Sequence, residues 1–203
     1  AELGDFDATS TTIALAPGGE QGRLPHDLLE NTFERYWKEF VQRRDGQREW
    51  KDYTPYEWRN VAAFVRLGWR ERAWEAVEFF FKDRAPQPWN QWAEVVSRTP
   101  RKPFFVGDLP HAWVGSDFVR SALDMFAYVR EVDDSIVLAA GVPVDWMAGD
   151  GVAIHVFRQP EHAQRGRGQL PVHLLPPQTI VRPEGRCSRR TDLGCARRED
   201  RRG

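Results

Sequence analysis

Between residues 85 and 117 the chain gathers indoles at Trp89, Trp92 and Trp113, amides at Asn90 and Gln91, carboxylates at Glu94, Asp108 and Asp117, and one imidazole at His111. Flat aromatic platforms suit the C–H faces of a sugar ring, while amides and carboxylates supply the donors and acceptors that its hydroxyls need. A carboxylate in such a setting can take a proton from water, and His111 and Asp108 can hold hydroxyls. Each residue also has a plainer use. Paired Trp side chains commonly belong to a core, Glu94 can be a surface carboxylate, and Asp108 and His111 can brace the loop. Asp117 can cap the following helix or sit in its first turn, with Arg120 one turn on as an ion-pair partner. The two cysteines, Cys187 and Cys195, match no zinc spacing, and no metal or cofactor is expected.

The elements that must position this loop are helical by their spacing. From Asp27 to about Arg44, Leu28, Leu29, Phe33, Tyr36, Trp37, Phe40 and Val41 recur at three- and four-residue steps, with Gly46 just beyond. Thr54 ahead of Pro55 marks the start of a second helix, Pro55 to Leu67, whose buried side is Tyr56, Trp58, Val61, Ala62, Phe64 and Val65. Gly68 ends it, and a third helix from Trp69 or Arg70 to Lys82 completes a tight αα-hairpin, turning Ala73, Trp74, Val77, Phe80 and Phe81 inward. A fourth helix is expected from Ser116 to about Glu131, a short strand from Ser135 to Leu138, and a brief turn from Val144 to Met147. Residues 1 to 24 read as loop-rich, with an extended piece at Thr12 to Leu15. The connection before the fourth helix exceeds thirty residues. Connections of that length in a compact domain are functional or disordered, and this one is poor in solvating Ser and Lys.

Composition divides the chain. Its 29 basic and 30 acidic residues average two unlike pieces: residues 1 to 157 hold every Trp, Tyr and Phe with 18 basic against 25 acidic residues, and residues 158 to 203 hold 11 Arg against 5 acids and no Lys. The body is expected to form one domain. The tail, with scattered Gly and Pro and isolated apolar residues, is expected to be disordered, because it cannot bury enough to offset its ordering entropy. A shift of reading frame near Val156 or Phe157 accounts for so abrupt a change; a basic arm for nucleic acid or an inert tail are the alternatives. Nucleic-acid binding is disfavoured, since the arginines come without stacking aromatics. No apolar run approaches the roughly 18 to 20 residues of a membrane span. The acidic start, which lacks Met, shows no signal peptide, and leaves the compartment open, secreted or periplasmic if residues precede it.

The order of these pieces carries a resemblance. Trp92-Ala93-Glu94-Val95, then Gly107-Asp108-Leu109-Pro110-His111-Ala112-Trp113-Val114-Gly115-Ser116-Asp117 and an apolar helix beginning Phe118-Val119-Arg120-Ser121, resembles the last loop and last hairpin of bacterial (α/α)6-barrel glycoside hydrolases, distantly similar to glucoamylase and trehalase. Asp5-Phe6-Asp7-Ala8-Thr9-Ser10-Thr11-Thr12 is similar to an active-face loop of such enzymes, so the resemblance covers roughly residues 1 to 155. It implies an all-α fold, the C-terminal portion of an (α/α)6 toroid, acting on an oligo- or polysaccharide. It implies hydrolysis with inversion, Glu94 being the general base in the loop before the final helix, as Trp113 stands nineteen residues on. The general acid of the family lies near mid-barrel, so with about four of twelve helices here it is expected upstream, with the N-terminal half of the barrel, and this chain alone is expected to be inactive. Asp5 or Asp7 is the fallback acid, although an Asx turn of Asp7 onto Thr9 or Ser10 is the simpler and favoured reading of Asp7. A partial barrel would leave Trp37, Trp58, Trp74 and Phe80 partly exposed. The competing reading is a non-catalytic carbohydrate-binding or scaffold domain. A terpene-cyclase-like use is disfavoured by the many amides and the lack of a clustered Asp motif.

Overall fold

The computed structural model describes residues 8–99, 107–147 and 179–181. Over these the chain is mostly helical, with α1 (Ala8–Leu15), α2 (His26–Arg44), α3 (Trp58–Arg66), α4 (Arg70–Lys82) and α5 (Ala112–Phe126). Five short strands accompany them: β1 (Asp52–Tyr53), β2 (Val96–Ser97), β3 (Ala127–Arg130), β4 (Ser135–Leu138) and β5 (Thr179–Val181). The strands form a β1–β2 pair and an antiparallel β3-β4-β5 sheet, and no barrel is present among the described residues. No described helix is long and apolar enough to cross a membrane.

Local chemistry explains the helices. On α2, Leu29, Phe33, Tyr36 and Phe40 are buried at helical spacing, Arg43 and Arg44 sit in its last turn, and Gly46 beyond it takes a left-handed φ of 70°. The Tyr56 N–H donates to the Thr54 hydroxyl at 3.4 Å, and Pro55 opens the 3-10 turn Pro55–Glu57 that leads into α3. Helix α3 is the centre of the fold, with Trp58 and every residue from Asn60 to Arg66 buried, and it packs on α1, α4 and α5. Trp58 is fully enclosed by Phe80, Trp92 and Phe118, at ring distances of 5.2, 5.1 and 5.0 Å. Beyond β4 the chain crosses this core at Gly141, where an added Cβ would lie 2.7 Å from Val65 Cγ2 and 2.8 Å from Met125 Cα.

Four expectations change. Residues 8 to 15 form a helix rather than a loop with an extended end, because Ala8, Thr12 and Leu15 pack inward against the central helix and the Thr12 hydroxyl donates to the Thr9 carbonyl at 2.6 Å. Helix α5 begins four residues before Ser116 and ends at Phe126, short of Glu131. Tyr128 and Val129, aromatic and β-branched, instead pair with Val137 and Ile136 of β4. The tight turn between the strands places Asp134 at a φ of 51° and joins Arg130 to Asp133 at 2.8 Å. Trp58 and Phe80 are fully buried rather than partly exposed, the described helices closing around them, whereas Phe81 stands 40% exposed at the edge of the same cluster. Trp37 and Trp74 are partly buried, Trp74 against Trp146 at 5.0 Å. In the Arg-rich segment, Thr179–Val181 form an antiparallel strand with Ile180 opposite Val137. The remainder of residues 158 to 203 lies outside the described residues.

Candidate functional site

Two stretches of the long connection run side by side and bring its polar residues together. β1 and β2 pair Asp52 with Ser97 and Tyr53 with Val96, and the Ser97 hydroxyl donates to the Asp52 carboxylate. Just before β2, the Glu94 N–H donates to the Asp108 carbonyl at 2.9 Å, the Asp108 N–H donates to Glu94 Oε2 at 3.1 Å, and the His111 N–H donates to the Trp92 carbonyl at 2.7 Å. Glu94, Asp108 and His111 thereby each offer a ligand atom within 4.8 Å of the others. Gly107 makes the close approach feasible, since a Cβ there would fall 2.6 Å from both Cβ and Oε2 of Glu94.

Tyr56, at the entrance to α3, anchors the imidazole. Its hydroxyl lies 2.5 Å from His111 Nε2, the His111 side chain is only 12% exposed, and His111 Nδ1 stands 3.9 Å from Asp108 Oδ2. The Arg59 guanidinium covers the Tyr56 ring at 4.6 Å and donates from Nε to Asp117 at 2.8 Å. Burial raises the Tyr56 hydroxyl above its ordinary value, the charge of Glu94 adds to this, and Arg59 opposes it. Tyr56 therefore stays a neutral phenol, which orients the ring without adding charge. Burial likewise raises the Asp117 carboxyl, with Arg59 opposing. The result is an acceptor-rich surface of three carboxylates around one phenol, one imidazole and one guanidinium.

Glu94 and Asp108 oxygens within 4.8 Å stand closer than the roughly 6.5–9.5 Å that an inverting pair keeps for its water, so Asp108 is not placed as the acid of such a pair. What the trio can do is hold a hydroxyl or a water between acceptors. Two carboxylate oxygens and an imidazole nitrogen also form a donor set that could hold a divalent cation, which the residue pattern alone did not indicate.

The indoles divide. Trp113 is 68% exposed, its ring 6.1 Å from that of His111 at the edge of the trio. Trp89 is 62% exposed on the turn Gln87–Trp89, followed by exposed Asn90, at a left-handed φ of 52°, and exposed Gln91. Trp92 is not a platform: at 9% exposure it belongs to the core, edge to face with Trp58 and Phe81 and tilted against Phe118. Asp117 does not cap α5, whose N-cap is His111 without a side-chain hydrogen bond, and its ion-pair partner is Arg59 rather than Arg120. Asp5 and Asp7 lie outside the described residues. Tyr56, Arg59 and Gly107 join the site although the sequence did not single them out; Tyr56 sits on the apolar face of its helix pattern, and only its hydroxyl marked it as a residue with a polar end. No family model matches the sequence, and no curated protein or solved structure matches it either. Fold and site together define a mostly helical protein with a carboxylate–imidazole surface site beside the N-terminal end of its central helix.

Proposed function

We propose that the chain is the C-terminal part of a bacterial carbohydrate-active hydrolase of the (α/α)6 toroid type, with Glu94 as general base. On this reading an N-terminal half of the barrel completes the toroid and contributes the general acid. The observation that carries it is the setting of Glu94: its carboxylate accepts the Asp108 N–H at 3.1 Å, adjoins His111, and has an exposed indole, Trp113, at the edge of the same cluster. A sugar ring stacked on Trp113 would present hydroxyls to Asp108 and His111 and a reacting carbon to a water held by Glu94. Glu94 would accept that water's proton as the oxygen attacks with inversion, while the upstream acid protonates the departing glycosidic oxygen.

The closeness of Asp108 to Glu94 favours one other reading, a non-catalytic carbohydrate-binding domain, because the trio supplies no inverting pair of its own. Glu94→Gln in a protein extended upstream of Ala1 separates the two. The expected result is a loss of turnover of about 10²- to 10⁴-fold with glycan affinity nearly unchanged. Unchanged turnover removes Glu94 from the mechanism.

A further inference from the structure

Glu94, Asp108 and His111 come from two separate stretches of the long connection, yet an oxygen of each carboxylate and a ring nitrogen of the histidine lie within 4.8 Å of one another. We infer that the three residues form a binding site for one Zn²⁺ ion. The inference goes beyond the hydrolase reading and does not rest on it.

The imidazole carries the assignment. The Tyr56 hydroxyl lies 2.5 Å from His111 Nε2, and the opposite ring nitrogen, Nδ1, faces Asp108 Oδ2 at 3.9 Å. With the ring proton on Nε2 and donated to the Tyr56 oxygen, Nδ1 keeps its lone pair on the side of Asp108. Metal-ligating histidines are held in this way, one nitrogen on the ion and the other hydrogen-bonded to an oxygen that fixes the tautomer and the ring orientation. Tyr56 comes from the entrance to α3, outside the trio, so this contact is independent of the bonds that join Glu94 to Asp108.

The charge balance points the same way. Among the described residues Glu94 has no ion-pair partner, Asp108 has only His111, and Arg59, the cation over the Tyr56 ring, is turned to Asp117. Two adjoining carboxylates repel each other, and a divalent cation between them relieves that repulsion. One imidazole beside two carboxylates suits Zn²⁺, which takes nitrogen and oxygen ligands, better than Ca²⁺, which takes six to eight oxygens. Ligands of a tetrahedral Zn²⁺ stand roughly 3.4 Å apart, so the trio closes by no more than about 1.4 Å on binding. Asp108, whose side chain is 84% exposed, has room for that movement. An ion so held takes up the Glu94 lone pair that a general base needs, so zinc occupancy and base catalysis by Glu94 exclude each other.

The test uses the full 203-residue chain in equilibrium dialysis against micromolar Zn²⁺, with the histidine ring nitrogens followed by NMR and the His111 signals assigned by their loss in His111→Ala. One Zn²⁺ per chain is expected to be retained and to shift His111 Nδ1, in the parent and equally in Cys187→Ser/Cys195→Ser, which removes the thiols as alternative ligands. Asp108→Asn, Glu94→Gln and His111→Ala are each expected to weaken binding at least about tenfold, and Tyr56→Phe, which frees Nε2, about tenfold. Millimolar Ca²⁺ is expected not to displace the zinc. No retained Zn²⁺, an unmoved Nδ1, loss of the ion with the cysteines, or unchanged affinity in Asp108→Asn overturns the proposal. Circular dichroism establishes that each variant is folded; should His111→Ala unfold, Asp108→Asn, an exposed position, decides. The readout is binding alone, so its failure leaves the Glu94 turnover test untouched, and failure of the turnover test leaves the zinc site standing.

Discussion

Arg66 and Asp124 tie the central helix to α5 from inside the protein, and replacing one without the other should expose the strength of that tie. The pair meets at 3.0 Å with the two side chains 2% and 10% exposed, and the Arg66 guanidinium also covers the Tyr128 ring at 4.3 Å. Asp124→Leu leaves Arg66 with a long hydrogen bond to Gln21 Oε1 at 3.4 Å and with Glu131, 3.9 Å away and 39% exposed. Removing one member of a buried pair costs about 3–5 kcal/mol, and Glu131 turning inward recovers part of it, so the expected loss is about 3 kcal/mol. With a urea m-value of about 2 kcal/mol/M, the unfolding midpoint falls by about 1.5 M. The double variant Arg66→Met/Asp124→Leu removes both charges and should return to within about 1 kcal/mol of the parent. The pair also sets a pH dependence. Burial raises the Asp124 carboxyl above its ordinary 3.8, with Arg66 opposing. The folded state then holds this proton more tightly than the unfolded state, so this group's contribution to stability falls as pH rises from 3.8 through the folded-state value and is level above it. The double variant should lack that slope. A single Asp124→Leu variant as stable as the double would refute the reasoning, because no buried arginine would then have been stranded.

Other outcomes follow from the placement of the indoles and glycines. Trp92→Ala should cost about 3–5 kcal/mol in chemical denaturation, since it empties a core position. Trp113→Ala should change stability by no more than about 0.5 kcal/mol, yet weaken glycan retention in affinity electrophoresis about tenfold. Gly107→Ala should cost about 1–3 kcal/mol by crowding Glu94, and should abolish the Asp108 N–H bond to its carboxylate, visible as a shift of that amide in NMR spectra. Gly141→Ala meets Met125 backbone that cannot yield, so a loss above about 3 kcal/mol is expected in the same denaturation assay.

The helices that were legible in the sequence are those whose burial pattern repeats over several turns. α2 and α4 lie where Leu29 to Phe40 and Ala73 to Phe80 place them, and the Thr54–Pro55 start is where its capping chemistry predicts. α1 was not legible, because its threonines and isoleucine weaken a helical signal and its inward face is small; packing against α3 overrides local preference. The early end of α5 was hidden for a related reason, as Tyr128 and Val129 continue an apolar run while their pairing with β4 depends on residues further along. At the site, the sequence brought out Glu94, Asp108 and His111 by type, and their meeting depends on a pairing of backbone segments that no spacing reveals. Trp89, Trp92 and Trp113 could not be told apart by type; burial against Trp58 separates the second from the others.

The central claim is that Glu94 is a general base held for a sugar-bound water. Its most direct measurement is the turnover of Glu94→Gln in the protein extended upstream of Ala1, with glycan affinity measured on the same sample. The account predicts turnover lowered by about 10²- to 10⁴-fold at nearly constant affinity. Turnover equal to the parent's, or affinity lost in step with it, would contradict the assignment.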